Sequence, residues 1–298
     1  MPAGQRKVKI EVMARNKEYH YDIREFQLRS LVLIDAIDKV CKEHHLNYYV
    51  IAGTLLGAKR HGGFIPWDDD MDIGLMRKDY DLLLEHADEW LPEPFFIVTH
   101  ENTPHYPKYF AKLEDTSTTL VENFYLGYAG GIYLDIFPLD DVPDNKWLRA
   151  IHYYKFNLLR KIQYFQFRDP YKHGHGPSSW LPLLARKMFS REGIYNKMQQ
   201  VLREYNGHKN CHYVMTHDDK LKAYPTACLG QPKAIQFEGR TVMAPSDIDT
   251  FLTVMYGPDH MQLPPVERRT SHFHNYCDFN TPYRSVDFEA LKKKTKAI

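Results

Sequence analysis

From Asp22 to His44 apolar residues recur every three or four positions, at Phe26, Leu28, Leu31, Leu33, Ile34, Ile37 and Val40, the stripe of an amphipathic helix. Asp22 is its N-cap, with Glu25 three residues on as in a capping box. The preceding stretch, Met1 to His20, is polar and aperiodic apart from an edge strand at Val8 to Val12. At Tyr48 the period changes. Tyr48 to Ala52 reads as the first strand of a central sheet, and a Gly53-Thr54 turn opens a short helix from Leu55 to Lys59. The basic, Gly-containing loop Arg60-His61-Gly62-Gly63 leads to Pro66-Trp67 and a second apolar run, Asp70-Met71-Asp72-Ile73, with acids at alternate positions. A helix from Lys78 to Trp90 is ended by Pro92 and Pro94. Strands follow at Phe95 to Thr99, Tyr109 to Glu114, Thr118 to Asn123 and Ile132 to Pro138.

Beyond this the pattern is mostly helical. Asn145 to Phe167 and Ser178 to Tyr205 are separated by the turn-forming stretch His173 to Pro177. The region from Gly207 to Pro245 is irregular, with strand-like pieces at Tyr213 and at Ala234 to Phe237. Ser246 or Asp247 caps a helix reaching Met255, and the tail LKKKTKAI reads as a frayed, solvated end. The class is therefore α/β (α+β), with a boundary near Val142-Pro143 between a strand-rich portion, 1–142, and a helix-rich portion, 143–298.

At 298 residues the chain can bury a sizeable core, as one large domain or two. Its formal charge of +1 gives no global field for nucleic acid, so any attraction for anions is local. Cys41, Cys211, Cys228 and Cys277 are widely spaced and form no C-x-x-C pair, which argues against a disulfide framework or zinc ribbon and for a cytoplasmic protein. MPAGQRKVKIEV lacks the apolar core of a signal peptide, and no window reaches the ~20 apolar residues of a spanning helix. Contact with a membrane, if any, is expected to be peripheral. A substrate destined for the cell surface would be handled before export.

The acids change the picture most. On a strand, Asp70 and Asp72 share a face with Cα atoms roughly 6–7 Å apart. Asp135 sits among Leu134, Ile136 and Phe137, where a lone carboxylate is costly unless paired or metal-bound. Together the three suit magnesium, which takes one or two carboxylates plus substrate phosphates in an octahedron of oxygens at about 2.0–2.1 Å. One or two ions would serve, with manganese as a substitute. The first N–H groups of a helix starting at Gly53-Thr54 would seat phosphates. The acid nearest an acceptor hydroxyl could take its proton.

This order of parts resembles the nucleotidyltransferase fold, a mixed sheet flanked by helices. More narrowly, GTLLGAKRHGGFIPWDDDMDIGL, from Gly53 to Leu75, is similar to the signature of the LicD family of phosphocholine transferases, to which fukutin-type ribitol-phosphate transferases are distantly similar. LDIFPLD at Leu134 to Asp140 resembles the family's third-acid strand, and FAKLEDTSTTLVE at Phe110 to Glu122 its Lys-containing hairpin. Phe237 to His272 resembles its C-terminal block. The likeness covers about Leu31 to Asp141 and Phe237 to His272 and leaves the middle helices unmatched. It implies transfer of a phosphocholine-type group from CDP-choline or a related CDP-alcohol to a hydroxyl of a glycan or glycolipid precursor, with release of CMP. It also implies Asp70, Asp72 and Asp135 as metal ligands and catalytic acids, Gly53 and Thr54 as the phosphate turn, and Arg60 and Lys112 as donor-phosphate contacts. The helix-rich portion would complete the cleft. Distant relatives vary at Asp69, and Asp68 is read as a loop anchor.

Three other readings are weaker. Acids at Asp68, Asp70 and Asp72 could open a calcium loop, but the Gly and Glu that an EF-hand needs are replaced by Ile73 and Asp79. A metal-dependent sugar-nucleotide glycosyltransferase also uses an acid-x-acid pair, yet does not call for the Gly-Thr helix or Asp135; it stands as an alternative beside a different nucleotidyltransferase. His212, His217, His272, His274 and Cys277 match no closed zinc spacing. Tyr106, Tyr109, Phe124, Tyr125, Tyr128 and Trp180 are available to cage a quaternary ammonium, and the sequence selects none of them.

Overall fold

A computed structural model of the chain describes residues 21–171, 175–218, 220–269, 271–272 and 274–296. The edge strand expected at Val8 to Val12 lies outside them. Helix α1 (Ile23–Glu43) starts where its cap places it, the Asp22 carboxylate accepting from the Arg24 N–H at 2.8 Å. It buries Phe26, Leu33, Ile34, Ile37 and Val40, while Leu28 falls on the outer face. Strand β1 (Tyr48–Val50) turns into α2 (Ala52–His61), then come β2 (Asp72–Met76), α3 (Arg77–Trp90) and β3 (Phe95–Val98). α2 is longer than expected because Gly62, at φ 68°, ends it with a left-handed cap, so Arg60 and His61 lie on the helix and not in a loop.

The residues of the expected hairpin form one continuous strand, β4 (Ala111–Val121), followed by β5 (Gly130–Val142). The Asp-Thr-Ser-Thr run makes a local irregularity instead of a reversal. Asp115 Oδ1 accepts from the Ser117 N–H at 2.9 Å, Thr118 Oγ1 donates to the Asp115 carbonyl at 2.8 Å, and the register slips between Asp115 and Leu120. The remaining elements are α4 (Lys146–Phe167), α5 (Pro177–Met188), α6 (Arg191–Leu202), β6 (Tyr213–Met215), β7 (Tyr224–Pro225), α7 (Thr226–Leu229), β8 (Lys233–Phe237), β9 (Arg240–Ala244), α8 (Ile248–Tyr256), β10 (Tyr276–Asp278) and α9 (Phe288–Lys296). The helix expected over Ser178 to Tyr205 is thus two, since Ser190 starts α6 by accepting from the Gly193 N–H. The tail is not wholly solvated: Leu291 of α9 is buried against Val121 and Phe124.

The fold is the mixed α/β sheet flanked by helices that the sequence implies. Among the described residues eight strands form one sheet, with β1-β2-β5-β4-β10 as its main path, β3 on β4, and β6 and β7 continuing from β5. β2 and β5 run parallel; the other pairs are antiparallel. Thus β6, β7 and β10, all after residue 143, extend the sheet begun by the first half. β5 is its buried spine, with Ile132, Leu134 and Ile136 in the main core. Arg77 at the start of α3 clamps Asp140 of β5 with two bonds of 2.7 and 2.6 Å, and Asn206 donates to the same carboxylate at 2.7 Å, so this buried pair is fully hydrogen-bonded.

Candidate active site

Asp72 and Asp135 are register partners across the parallel β2·β5 pair, and Lys112 is the partner of Asp135 across β4·β5. Strands lie about 4.8 Å apart, so the three side chains form a row across the sheet. Asp70 precedes β2, with the Met71 carbonyl still accepting from the Asp135 N–H at 2.9 Å. Asp68, Asp70, Asp72 and Asp135 all line a cavity of about 690 Å³, a size suited to a small-molecule ligand.

The junction of β1 and α2 holds this row in place. The Asp72 N–H donates to Thr54 Oγ1 at 2.8 Å, and the Asp72 carbonyl accepts from the Ile51 N–H at 3.0 Å. The left-handed residue at the turn is Ala52, at φ 50°, a conformation that costs a non-glycine residue about 1–3 kcal/mol and that collects at functional sites. Gly53 serves a different need. A Cβ there would stand 2.3 Å from Asp68 Oδ2, so only glycine lets the first turn of α2 approach that carboxylate. Gly53 faces the cavity; the buried Thr54 hydroxyl is turned to the strand.

Electrostatics mark the acids as strained. Burial, followed by the charges of Asp70, Asp135 and Asp68, raises Asp72 well above the usual carboxylate range. Burial raises Asp135 to about 6, against the pull of Lys112 and Lys108, and burial with Asp70 raises Asp68 to about 8. Asp135 Oδ1 is buried without a hydrogen bond, although Lys112 Nζ stands 3.3 Å away. Asp69 behaves oppositely. Burial pushes it up, but bonds from His272 and Tyr21 and the charge of His274 outweigh that and hold it low. His272 is raised to about 9, first by its bond to Asp69, and stands 3.4 Å from Asp70 Oδ2. Ligand atoms of Asp68, Asp69, Asp70 and His272 lie within 4.8 Å of one another, so this acidic cluster could also hold a metal ion.

The anchoring role expected of Asp68 therefore falls to Asp69, which is fully buried and bonded to Tyr21 and His272, while Asp68 faces the cavity. Arg60 does not line the cavity; its guanidinium donates to the carbonyls of His260 and Gln262, both at 3.1 Å. Lys112 lies behind the cavity wall, over the Tyr133 ring and paired with Glu122. Lys108, 3.1 Å from Glu122, is the lysine that does line it. The second half adds Arg160, Tyr164 and Phe167 of α4, Asp218, and Tyr256 at the end of α8. Of the aromatics weighed for a cage, Tyr109 and Tyr125 line the cavity, and Trp180 is on the outer surface of α5. Nothing in the sequence pattern singles out Lys108 or His272, because their roles arise from contacts across the fold.

A family model described as "LicD/FKTN/FKRP, nucleotidyltransferase domain" matches residues 45–169. The lipopolysaccharide cholinephosphotransferase LicD of Haemophilus influenzae is 28% identical over 267 residues, spanning 84% of this chain and 95% of that protein. The mouse ribitol-5-phosphate transferase FKTN is 28% identical over 128 residues, 42% of this chain and 24% of its own. The human ribitol 5-phosphate transferase FKRP is 50% identical over 34 residues, 11% of this chain and 7% of its own.

Proposed function

We propose, from the match of residues 45–169 to a LicD-type nucleotidyltransferase domain, that the protein transfers a phospho-alcohol group from a CDP-alcohol to a hydroxyl of a glycan or glycolipid and releases CMP. CDP-choline is the first candidate donor, since the relative matched along nearly its whole length is a cholinephosphotransferase. The observation that carries this reading is the convergence of Asp68, Asp70, Asp72 and Asp135 on one cavity beside the first turn of α2.

The acids fit a divalent cation, magnesium first and manganese second. They are oxygen donors, Asp72 and Asp135 are buried side by side, and Asp135 Oδ1 lacks a hydrogen bond. When bound, such an ion neutralises charge on the phosphate being transferred. The protein's own groups do the rest. Backbone N–H groups at the start of α2, bared by Gly53, grip the diphosphate, and Lys108 adds a positive charge. Asp135, facing the cavity, is the carboxylate proposed to take the acceptor's hydroxyl proton. Tyr125 and Tyr164 line the cavity and are the aromatic side chains proposed to meet a quaternary ammonium. Residues after 143, Arg160 and Tyr164 among them, contribute to the lining of the same cleft.

The test is a screen of activated nucleotides with purified protein and magnesium, reading nucleoside monophosphate. CDP-choline is expected to give CMP and phosphocholine slowly with water as acceptor, and chelation to stop it; CDP-ribitol and CDP-ethanolamine calibrate the choice of alcohol. Turnover confined to a UDP- or GDP-sugar, or CMP release indifferent to chelator, would refute the reading.

A further inference from the structure

Of the twenty exposed large apolar or aromatic side chains among the described residues, twelve fall between residues 147 and 188, on α4 and α5 and the link between them. They are not scattered. On α4, Trp147, Ile151, Tyr154 and Leu158 follow an i, i+4, i+7, i+11 spacing, which at 3.6 residues per turn keeps them within an arc of about 60°. The buried residues of the same helix, Tyr153, Phe156, Gln163 and Phe167, lie on the opposite side. On α5, Trp180, Leu181, Leu184 and Met188 fall within about 100° and face away from the buried Ser179, Pro182 and Ala185. Trp147 is 81% exposed and Trp180 67%. The two helices pack together, Arg186 of α5 donating to the Gln166 carbonyl of α4 at 3.0 Å.

Charge identifies the partner. From Lys146 to Lys187 the chain carries nine Lys or Arg and one acid, Asp169; Arg149, Arg160 and Arg186 are tied to groups within the protein, and the stretch is still basic without them, while the whole molecule carries a net charge of only +1. Aromatic and aliphatic stripes on basic helices are the composition of a segment that lies in a lipid headgroup layer. No described helix is long and apolar enough to cross a membrane. A second copy of this face would bring like charges together.

We propose that the outer faces of α4 and α5 dock on the surface of an anionic lipid bilayer, the apolar side chains entering the headgroup boundary and the basic ones meeting lipid phosphates. α4 is also the helix whose inner side, through Arg160, Tyr164 and Phe167, walls the catalytic cavity. Resting on the function proposed above, this would hold the cavity beside acceptors carried on lipid.

Co-sedimentation of the full chain with vesicles tests the docking without requiring turnover, so its failure is separable from failure of the enzymatic reading. Vesicles of equimolar phosphatidylcholine and phosphatidylglycerol should pellet the protein, phosphatidylcholine alone should pellet it weakly, and salt should release it. The paired changes Trp147→Ser with Ile151→Ser, and Trp180→Ser with Leu184→Ser, should each lower binding by about tenfold or more. Lys161→Glu with Lys187→Glu should do so on anionic vesicles only. Melting temperature and CDP-choline hydrolysis in solution should be unchanged. The proposal is overturned if neither vesicle binds, if binding ignores these substitutions, or if they instead dissociate a dimer that has no affinity for lipid.

Discussion

Asp72 of β2 and Asp135 of β5 stand directly opposite one another on adjacent parallel strands, both buried, and the charge of Asp135 adds to burial and the charge of Asp70 in raising Asp72. Such a pair destabilises the fold when both groups are charged and no cation lies between them. On the function proposed above, a cation held between the two accounts for its presence in the middle of the sheet.

Asp72→Asn and Asp135→Asn should therefore separate activity from stability. Metal-dependent CMP release is expected to fall at least about 100-fold, while the melting temperature measured in chelator stays level or rises. Magnesium should raise the melting temperature of the unsubstituted protein and not of either variant. A loss of activity accompanied by a large drop in stability would mean that these carboxylates are structural.

Gly53→Ala tests the close approach of α2 to the acid loop. The added methyl would meet Asp68 Oδ2 at 2.3 Å, and since that carboxylate can swing aside, the stability cost is expected to stay near 1 kcal/mol. Turnover of the nucleotide donor should drop by about tenfold or more, because the displaced group is one of those facing the cavity. Unchanged kcat and KM would show that the approach has no catalytic use.

Glu114 gives a pH signature away from the aspartates. Buried on β4 and bonded to the Tyr128 hydroxyl at 2.7 Å and the Gly131 N–H at 3.2 Å, it is raised by burial from 4.5 to about 7, those bonds and Lys112 opposing. A folded-state value above the unfolded one means its contribution is intact below about 4.5 and is lost as pH rises through about 7. Glu114→Gln should thus gain stability over the parent progressively across that window. Chemical denaturation at pH 5 and pH 8 checks this; an equal difference at the two values would sink it.

Part of the geometry was readable in the one-dimensional pattern, and the reasons for the misses are physical. Hydrophobic runs marked Asp72 and Asp135 as strand acids, the family resemblance put them together, and the structure makes them register partners. Which of three consecutive aspartates turns inward was not readable, because Asp68 to Asp70 lie in a loop with no period, and Asp69 is turned in by Tyr21 and His272 from distant parts of the chain. Arg60 was misplaced for want of knowing which glycine ends α2. Lys112, expected as a donor-phosphate contact, is the register partner of Asp135, but pairing register says nothing about a long side chain folding under the wall to Glu122. The Asp-Thr-Ser-Thr run has turn chemistry that the neighbouring strands overrode.

The carboxylate of Asp69 is gripped from two distant parts of the chain, by Tyr21 ahead of the first helix and by His272 just before β10. The loop that presents the acids is consequently buckled shut only when both grips are in place. Loosening either one would be felt first as slack in that loop, before any secondary structure is lost.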